Sequence, residues 1–255
     1  MNHWRQPNFI IAGATRSGTS WLYHLLDNHP MIYMAKPIAP EPKFFLIDEI
    51  YEKGLDYYTR TWFSDIEDAK ICGEKSTNYL ENSSVASRIH HNLPAVKLIF
   101  ILRNPVERAY SNYLWSYMNG LEEQDFATAL ELESKRELEV SPALRYSRPH
   151  AYFSRGLYAK MLKPYFQVFD REQILCLRYE DIAENLESLA KRVCSFLGVP
   201  PDLLNPFEIG IINPSQKKGA KLSSDTRNKL IAAYREPCKE LSQLLGPEFQ
   251  LWENN

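Results

Sequence analysis

Gly13 and Gly18 stand five positions apart in "GATRSGTS", and Thr19 and Ser20 follow directly. That is the spacing of a phosphate-binding loop, in which backbone N–H groups at a helix start point at an anion. The lysine that normally follows the second glycine is missing, and Arg16 is the cation inside the loop. A second cation, Arg103, ends the apolar run "LIFIL", where a magnesium-dependent nucleotide enzyme needs a carboxylate. Together these residues predict a phosphorylated ligand neutralised by side chains and backbone, with no metal. For the glycines alone, a plain strand-to-helix turn is the competing reading.

A phosphate loop must join a strand to a helix, and the flanking sequence supplies both. Asn8 to Ala12 is an apolar strand, and the helix after the loop places Trp21, Leu22, Leu25 and Leu26 on one face until His29-Pro30 stops it. The run Lys97 to Leu102 is a second strand, and Pro105 suits the first turn of the helix that follows. Gln173 to Leu177 is a third, with a short strand near Ile71 and helices over Tyr51 to Trp62 and Ser83 to Asn92. Gly120 to Pro149 reads as charged and irregular, with "ELESKRELEV" a solvated helical face. Residues 200–222 read as loop, and Ser223 to Leu245 as a capped terminal helix. Strands alternating with helices predict an α/β fold: one P-loop-like domain over residues 1–255, with a central parallel sheet flanked by helices.

The charge balance, 30 Lys and Arg against 32 Asp and Glu, argues against the basic field of a nucleic-acid binder. Any anion site must therefore be local. Cys72, Cys176, Cys194 and Cys238 form neither C-x-x-C nor a Cys/His cluster, so reduced thiols and no metal centre are expected. No basic-then-apolar leader and no run long enough to span a bilayer are present, which predicts a soluble, cytoplasmic chain.

The stretches "GATRSGTSWL" and "LRNPVERAYSNY" resemble the paired signatures of the sulfotransferases that use 3′-phosphoadenosine 5′-phosphosulfate (PAPS). The resemblance implies that Arg16, Ser17, Gly18, Thr19 and Ser20 wrap the 5′-phosphosulfate and that Arg103 and Ser111 bind the 3′-phosphate. In order along the chain, "PEPKFF", "GEKSTNYL" and "RGLYAKML" through "RYEDI" resemble the heparan-sulfate and related bacterial carbohydrate branch, from Asn8 to about Trp252. In that branch the position of Glu41 is the general base and that of Lys75 lies near the sulfuryl group. The loop "NPSQKKGAKL" resembles the late loop over the 3′-phosphate, which points to Lys217, Lys218 and Gly219. Trp21 matches a tryptophan that contacts adenine in cytosolic relatives, but its spacing with Leu22 and Leu25 fits a core equally well.

Arg16 occupies the place where the family usually carries lysine. A guanidinium is planar and always charged, so Arg16 is expected to stabilise charge rather than to donate a proton. The implied reaction moves a sulfuryl group in line from PAPS, leaving adenosine 3′,5′-bisphosphate (PAP), to a hydroxyl or amine of a carbohydrate or small-metabolite acceptor. Near-neutral charge argues against a broad basic groove for a long polyanionic acceptor. His150, the base position to test against Glu41, lies in the same region as Arg148, Arg155 and Tyr158. A P-loop kinase or NTPase, and a nucleotide-binding module without catalysis, are the alternatives at this point.

Overall fold

The computed structural model describes residues 5–64, 66, 71–210 and 222–252. Its elements run β1 (Phe9–Gly13), α1 (Thr19–Asp27), β2 (Ile32–Met34), α2 (Asp48–Tyr51), α3 (Leu55–Trp62), β3 (Ile71–Lys75), α4 (Ser83–Asn92), β4 (Lys97–Leu102), α5 (Pro105–Met118), α6 (Phe126–Leu138), α7 (Tyr158–Val168), β5 (Ile174–Arg178), α8 (Asp181–Glu184), α9 (Leu186–Leu197) and α10 (Ser224–Leu245). Internal contacts divide the chain into two compact units. One is Met1–Leu102 with Leu162–Ile212, and the other is Arg103–Met161 with Asn213–Asn255.

The first unit holds a five-stranded parallel sheet in the order β2-β3-β1-β4-β5. β1 and β4 are nearly continuous apolar runs because central parallel strands are buried on both faces. The sheet carries α1 and α9 on an apolar cluster that includes Phe9, Ile11, Leu22, Leu25, Ile99, Leu177, Val193 and Leu197. The chain leaves β1 for β2 on one side and later crosses to β4 on the other. The carboxyl end of β1 is thus a topological switch point, where open α/β sheets bind their ligands. The glycine loop occupies this position.

The second unit packs α5, α6 and α10 around Val106, Ala109, Tyr113, Phe126, Tyr152, Leu230 and Tyr234. Asn104 caps α5 through Val106 N–H at 3.0 Å, Pro105 opens it, and Ser223 caps α10 through Thr226 N–H at 3.1 Å.

Several sequence expectations are corrected here. The helix expected over Tyr51 to Trp62 is two, α2 and α3, with Gly54 as the cap of the second. β2 is a strand of three residues, too short to show a period. Within the stretch read as irregular, α6 is a regular helix capped by Asp125. Its surface is not wholly solvated, because buried Glu133 accepts from Phe153 N–H at 2.6 Å and Ser154 N–H at 2.8 Å. All four cysteines are free thiols.

Candidate active site

The loop between β1 and α1 is set by backbone conformation. Arg16 (φ 66°) and Gly18 (φ 87°) both lie in the left-handed region, which turns successive N–H groups toward one side. Gly18 is also the N-cap of α1 and has no side chain to satisfy the first-turn N–H groups, which point where a phosphate would sit. A Cβ at Gly18 would stand 2.8 Å from the Tyr179 ring and 2.9 Å from Ile182 Cδ1, so the end of β5 closes the loop from behind. Ser17 is fully buried, and its Oγ has no hydrogen-bond partner among the described residues. A buried hydroxyl of this kind suits an anionic ligand seated in the loop, and with the cation Arg16 the residues fit a phosphate or phosphosulfate. Thr19 is buried and Ser20 half-buried.

Trp21 is 6% exposed and belongs to the apolar cluster beneath the sheet, so any contact with a base is limited to the edge it leaves bare.

Glu41 and Lys75 meet although the sequence separates them widely. Lys75 Nζ, at the carboxyl end of β3, donates to Glu41 Oε1, with side-chain exposures of 6% and 13%. Thr77 holds the same carboxylate through its N–H (3.2 Å) and its Oγ1 (3.1 Å). The group links directly to the glycine loop: Ser76 N–H donates to Ile11 O at 3.1 Å, and a Cβ at Gly13 would stand 3.3 Å from Thr77 O. Thr15 Oγ1 donates to Glu81 Oε1 at 2.9 Å, a second tie between loop and β3 extension. The anion loop and the Glu41–Lys75 pair therefore belong to one surface at the carboxyl end of β1 and β3.

Beneath that surface lies a carboxylate that the sequence reading passed over. Glu74 is fully buried, and burial raises its pKa to about 7 against the lowering effect of hydrogen bonds from Ser76, Tyr58 and Tyr79; the charge of Glu41 raises it further. Thr77 and Ser76 were also missed. The stretch "GEKSTNYL" contains all three, and the signal was the run of polar residues ending a buried strand.

In the second unit, Arg103 is half-buried with its carbonyl accepting from Tyr158 Oη at 2.8 Å, and Ser111 is buried on α5. His150 is engaged with the Leu121 carbonyl at 2.7 Å. Arg148 pairs with Glu137 at 2.6 Å, and buried Arg155 donates to Asn112 Oδ1 at 3.2 Å and to Ser147 O at 2.8 Å. Lys217, Lys218 and Gly219 lie outside the described residues. Among the described residues no group of three or more His, Cys, Asp or Glu could hold a metal ion, and no helix is long and apolar enough to cross a membrane.

A parallel sheet with a lysine-free anion loop at its switch point, and a carboxylate–ammonium pair beside it, defines a group-transfer fold for a phosphorylated donor. The family model described as the sulfotransferase domain matches residues 6–208, and the chain belongs to that family. The human heparan sulfate glucosamine 3-O-sulfotransferase 6 is 31% identical over 196 residues, covering 76% of this chain; the chain spans about half (53%) of that relative's length. A sulfotransferase crystal structure from Alicyclobacillus acidocaldarius is 29% identical with a TM-score of 0.79, covering 97% of this chain and 98% of that one. A mouse sulfotransferase, SULT7A1, complexed with PAP, shares the fold at 17% identity and a TM-score of 0.57, covering 94% and 87%.

Proposed function

We propose that this chain is a PAPS-dependent sulfotransferase that sulfates a hydroxyl of a carbohydrate or small hydroxylated acceptor, both units acting as one domain, with Glu41 as general base. The observation that carries this reading is the Glu41–Lys75–Thr77 arrangement at the edge of the anion loop. PAPS, when bound, supplies an activated sulfuryl group that needs no metal. The loop residues Arg16 to Ser20 hold the 5′-phosphosulfate end through backbone N–H groups, the Ser17, Thr19 and Ser20 hydroxyls and the Arg16 guanidinium. Arg16 offsets charge on the departing phosphate, and Lys75, anchored on Glu41, stands ready to do the same for the sulfuryl oxygens. Glu41 accepts the acceptor's proton, and its fixed carboxylate keeps the acceptor oxygen in line.

Arg103 and Ser111 bind the 3′-phosphate in this reading, as do Lys217, Lys218 and Gly219. A carbohydrate acceptor is favoured because the human relative is a heparan sulfate glucosamine enzyme by name. Family membership, together with an arginine rather than a carboxylate after β4, leaves no support for a kinase or NTPase. The test is calorimetric titration of PAP against adenosine 5′-monophosphate in EDTA. Binding that requires the 3′-phosphate supports the reading. Equal affinity for the two nucleotides, or a need for magnesium, sinks it.

A further inference from the structure

We propose that Glu74 is a positioning residue: its buried carboxylate takes the hydroxyl protons of Ser76 and Tyr79 and so turns the lone pairs of both hydroxyls toward the loop that carries Glu41. The inference rests on Glu41 acting at the reaction centre, and it assigns a role to a fully buried carboxylate that chemistry at the surface leaves unused.

The geometry is specific. Ser76 Oγ donates to Glu74 Oε2 at 2.6 Å and Tyr58 Oη to Oε1 at 3.0 Å, and the Tyr79 hydroxyl faces the same carboxylate and Ser76. Above about pH 7 the Glu74 carboxylate is ionised and only accepts, so the Ser76 and Tyr58 hydroxyls direct their protons to it, and we assign the same direction to the facing Tyr79 hydroxyl. Ser76 Oγ and Tyr79 Oη are left as acceptors. Both are used: Lys43 N–H donates to Ser76 Oγ at 2.9 Å, and Phe45 N–H donates to Tyr79 Oη at 3.2 Å. Lys43 and Phe45 flank Phe44, and only Pro42 separates Lys43 from Glu41, so the two bonds fix the segment whose entry sets where Glu41 points.

The segment needs fixing. Lys43 has φ 49°, a left-handed conformation that a non-glycine residue keeps only when its surroundings hold it there. The carbonyl of Lys43 also accepts from Leu46 and Ile47 N–H, both at 3.1 Å, which makes it the hinge of the turn into α2. Tyr58 comes from α3, Ser76 and Glu74 from β3 and its extension, and Tyr79 from the 3₁₀ turn Tyr79–Glu81. One carboxylate thus ties three separate segments to the loop of the base. A simple packing role would not require an acceptor-only group at this depth, where burying a charge is costly.

The test is residue-resolved hydrogen exchange by NMR at pH 8 on the full chain, read at the Lys43 and Phe45 amides against core amides such as Ile99. Glu74→Leu removes the acceptor and is expected to speed exchange at both amides on the order of ten-fold, the effect of about one lost hydrogen bond, with Ile99 unchanged. Glu74→Gln leaves one acceptor oxygen to three hydroxyl donors and is expected to speed at least one of the two. Ser76→Ala should speed Lys43 alone, and Tyr79→Phe should speed Phe45 alone. Hydrolysis of PAPS by water gives the catalytic readout: Glu74→Leu is expected to lower kcat about ten-fold or more while KM for PAPS stays within two-fold. Wild-type exchange at both amides in the folded Glu74 variants overturns the proposal, as does a change confined to KM. Glu41→Gln, run beside them, separates the two ideas. A wild-type hydrolysis rate in that variant sinks Glu41 as the base, while the amide exchange still decides the role of Glu74.

Discussion

Lys75 Nζ donates to Glu41 Oε1 across 34 positions of sequence, and Thr77 grips the same carboxylate with its backbone N–H and its hydroxyl. The ion pair is largely shielded from water, so neither partner can be removed without exposing the other as an uncompensated charge. That coupling governs what substitutions at the site should do.

Glu41→Gln keeps the shape and one acceptor for Lys75 but cannot take a proton. General bases contribute about 10² to 10⁴ in rate, so turnover of PAPS should fall at least a hundred-fold. Affinity for PAP, measured by calorimetry, should stay within two-fold of wild type, because the anion loop is built from other residues. Retained turnover would move the base elsewhere, and His150→Ala would be the next variant.

Lys75→Met removes the cation and leaves a methylene chain of similar length. Loss of a preorganised charge facing the reacting group costs roughly 10² to 10³ in kcat. Glu41 also loses its buried partner, so the melting temperature should fall as well, read by scanning calorimetry. Full activity in a folded Lys75→Met would place the ammonium outside the chemistry.

Gly18→Ala tests the anion loop by geometry alone. The new methyl meets Tyr179 at 2.8 Å and Ile182 at 2.9 Å, at a residue with φ 87°. Strain and overlap together should cost roughly 2 kcal/mol, which in a chain of this size lowers Tm by about 5 °C. PAP binding should weaken in the same variant because the N–H groups of the loop move with the backbone. An unchanged Tm would show that the loop has another conformation open to it.

Glu74 predicts a stability slope with a definite sign. Its folded pKa of about 7 lies above the ordinary value of 4.5, so the native state holds this proton longer than the unfolded chain does. The resulting stability is fully present below about pH 4.5 and is lost as pH rises through about 7. At 1.4 kcal/mol per unit the loss is on the order of 3 kcal/mol. Glu74→Gln lacks it, while the hydroxyls facing Glu74 (Tyr58 from α3 and Tyr79 from the 3₁₀ turn) and the nearby Glu41–Lys75 ion pair are present in both proteins. Denaturant unfolding at pH 5 and pH 8 should therefore show wild type losing stability relative to the variant as pH rises. A difference that does not change with pH, or that changes the other way, would contradict a buried and disfavoured carboxylate at this position.

Arg103→Ala should weaken PAP far more than adenosine 5′-monophosphate. A charge-assisted hydrogen bond to phosphate is worth about 1.5 to 3 kcal/mol, or roughly 10- to 100-fold. Calorimetric titration of both nucleotides reads this directly. Equal weakening of the two would remove Arg103 from the 3′-phosphate.

Much of the architecture could be read from one dimension because its causes are local. The apolar runs of β1 and β4 announce buried parallel strands, Gly13 and Gly18 with Thr19 mark a loop entering a helix, Pro105 suits the first turn of α5, and Ser223 caps α10 through the N–H of Thr226 three residues on. Boundaries slipped where the cause was not local: β2 exists because Ile32 to Met34 pair with Ile71 to Gly73, which no period within three residues can report.

The chemistry of the site divides in the same way. From sequence alone came the lysine-free anion loop, the arginine after β4 and the resemblance that singled out Glu41 and Lys75. Tertiary structure decided that Glu41 and Lys75 are one ion pair, that Thr77 orients it, that Trp21 lies in the core, and that Glu74 is buried under three hydroxyls. The physical reason is that charge pairing and desolvation depend on distances through space and on exclusion of water, and both are set by how β1, β3 and α3 pack rather than by the order of residues along the chain.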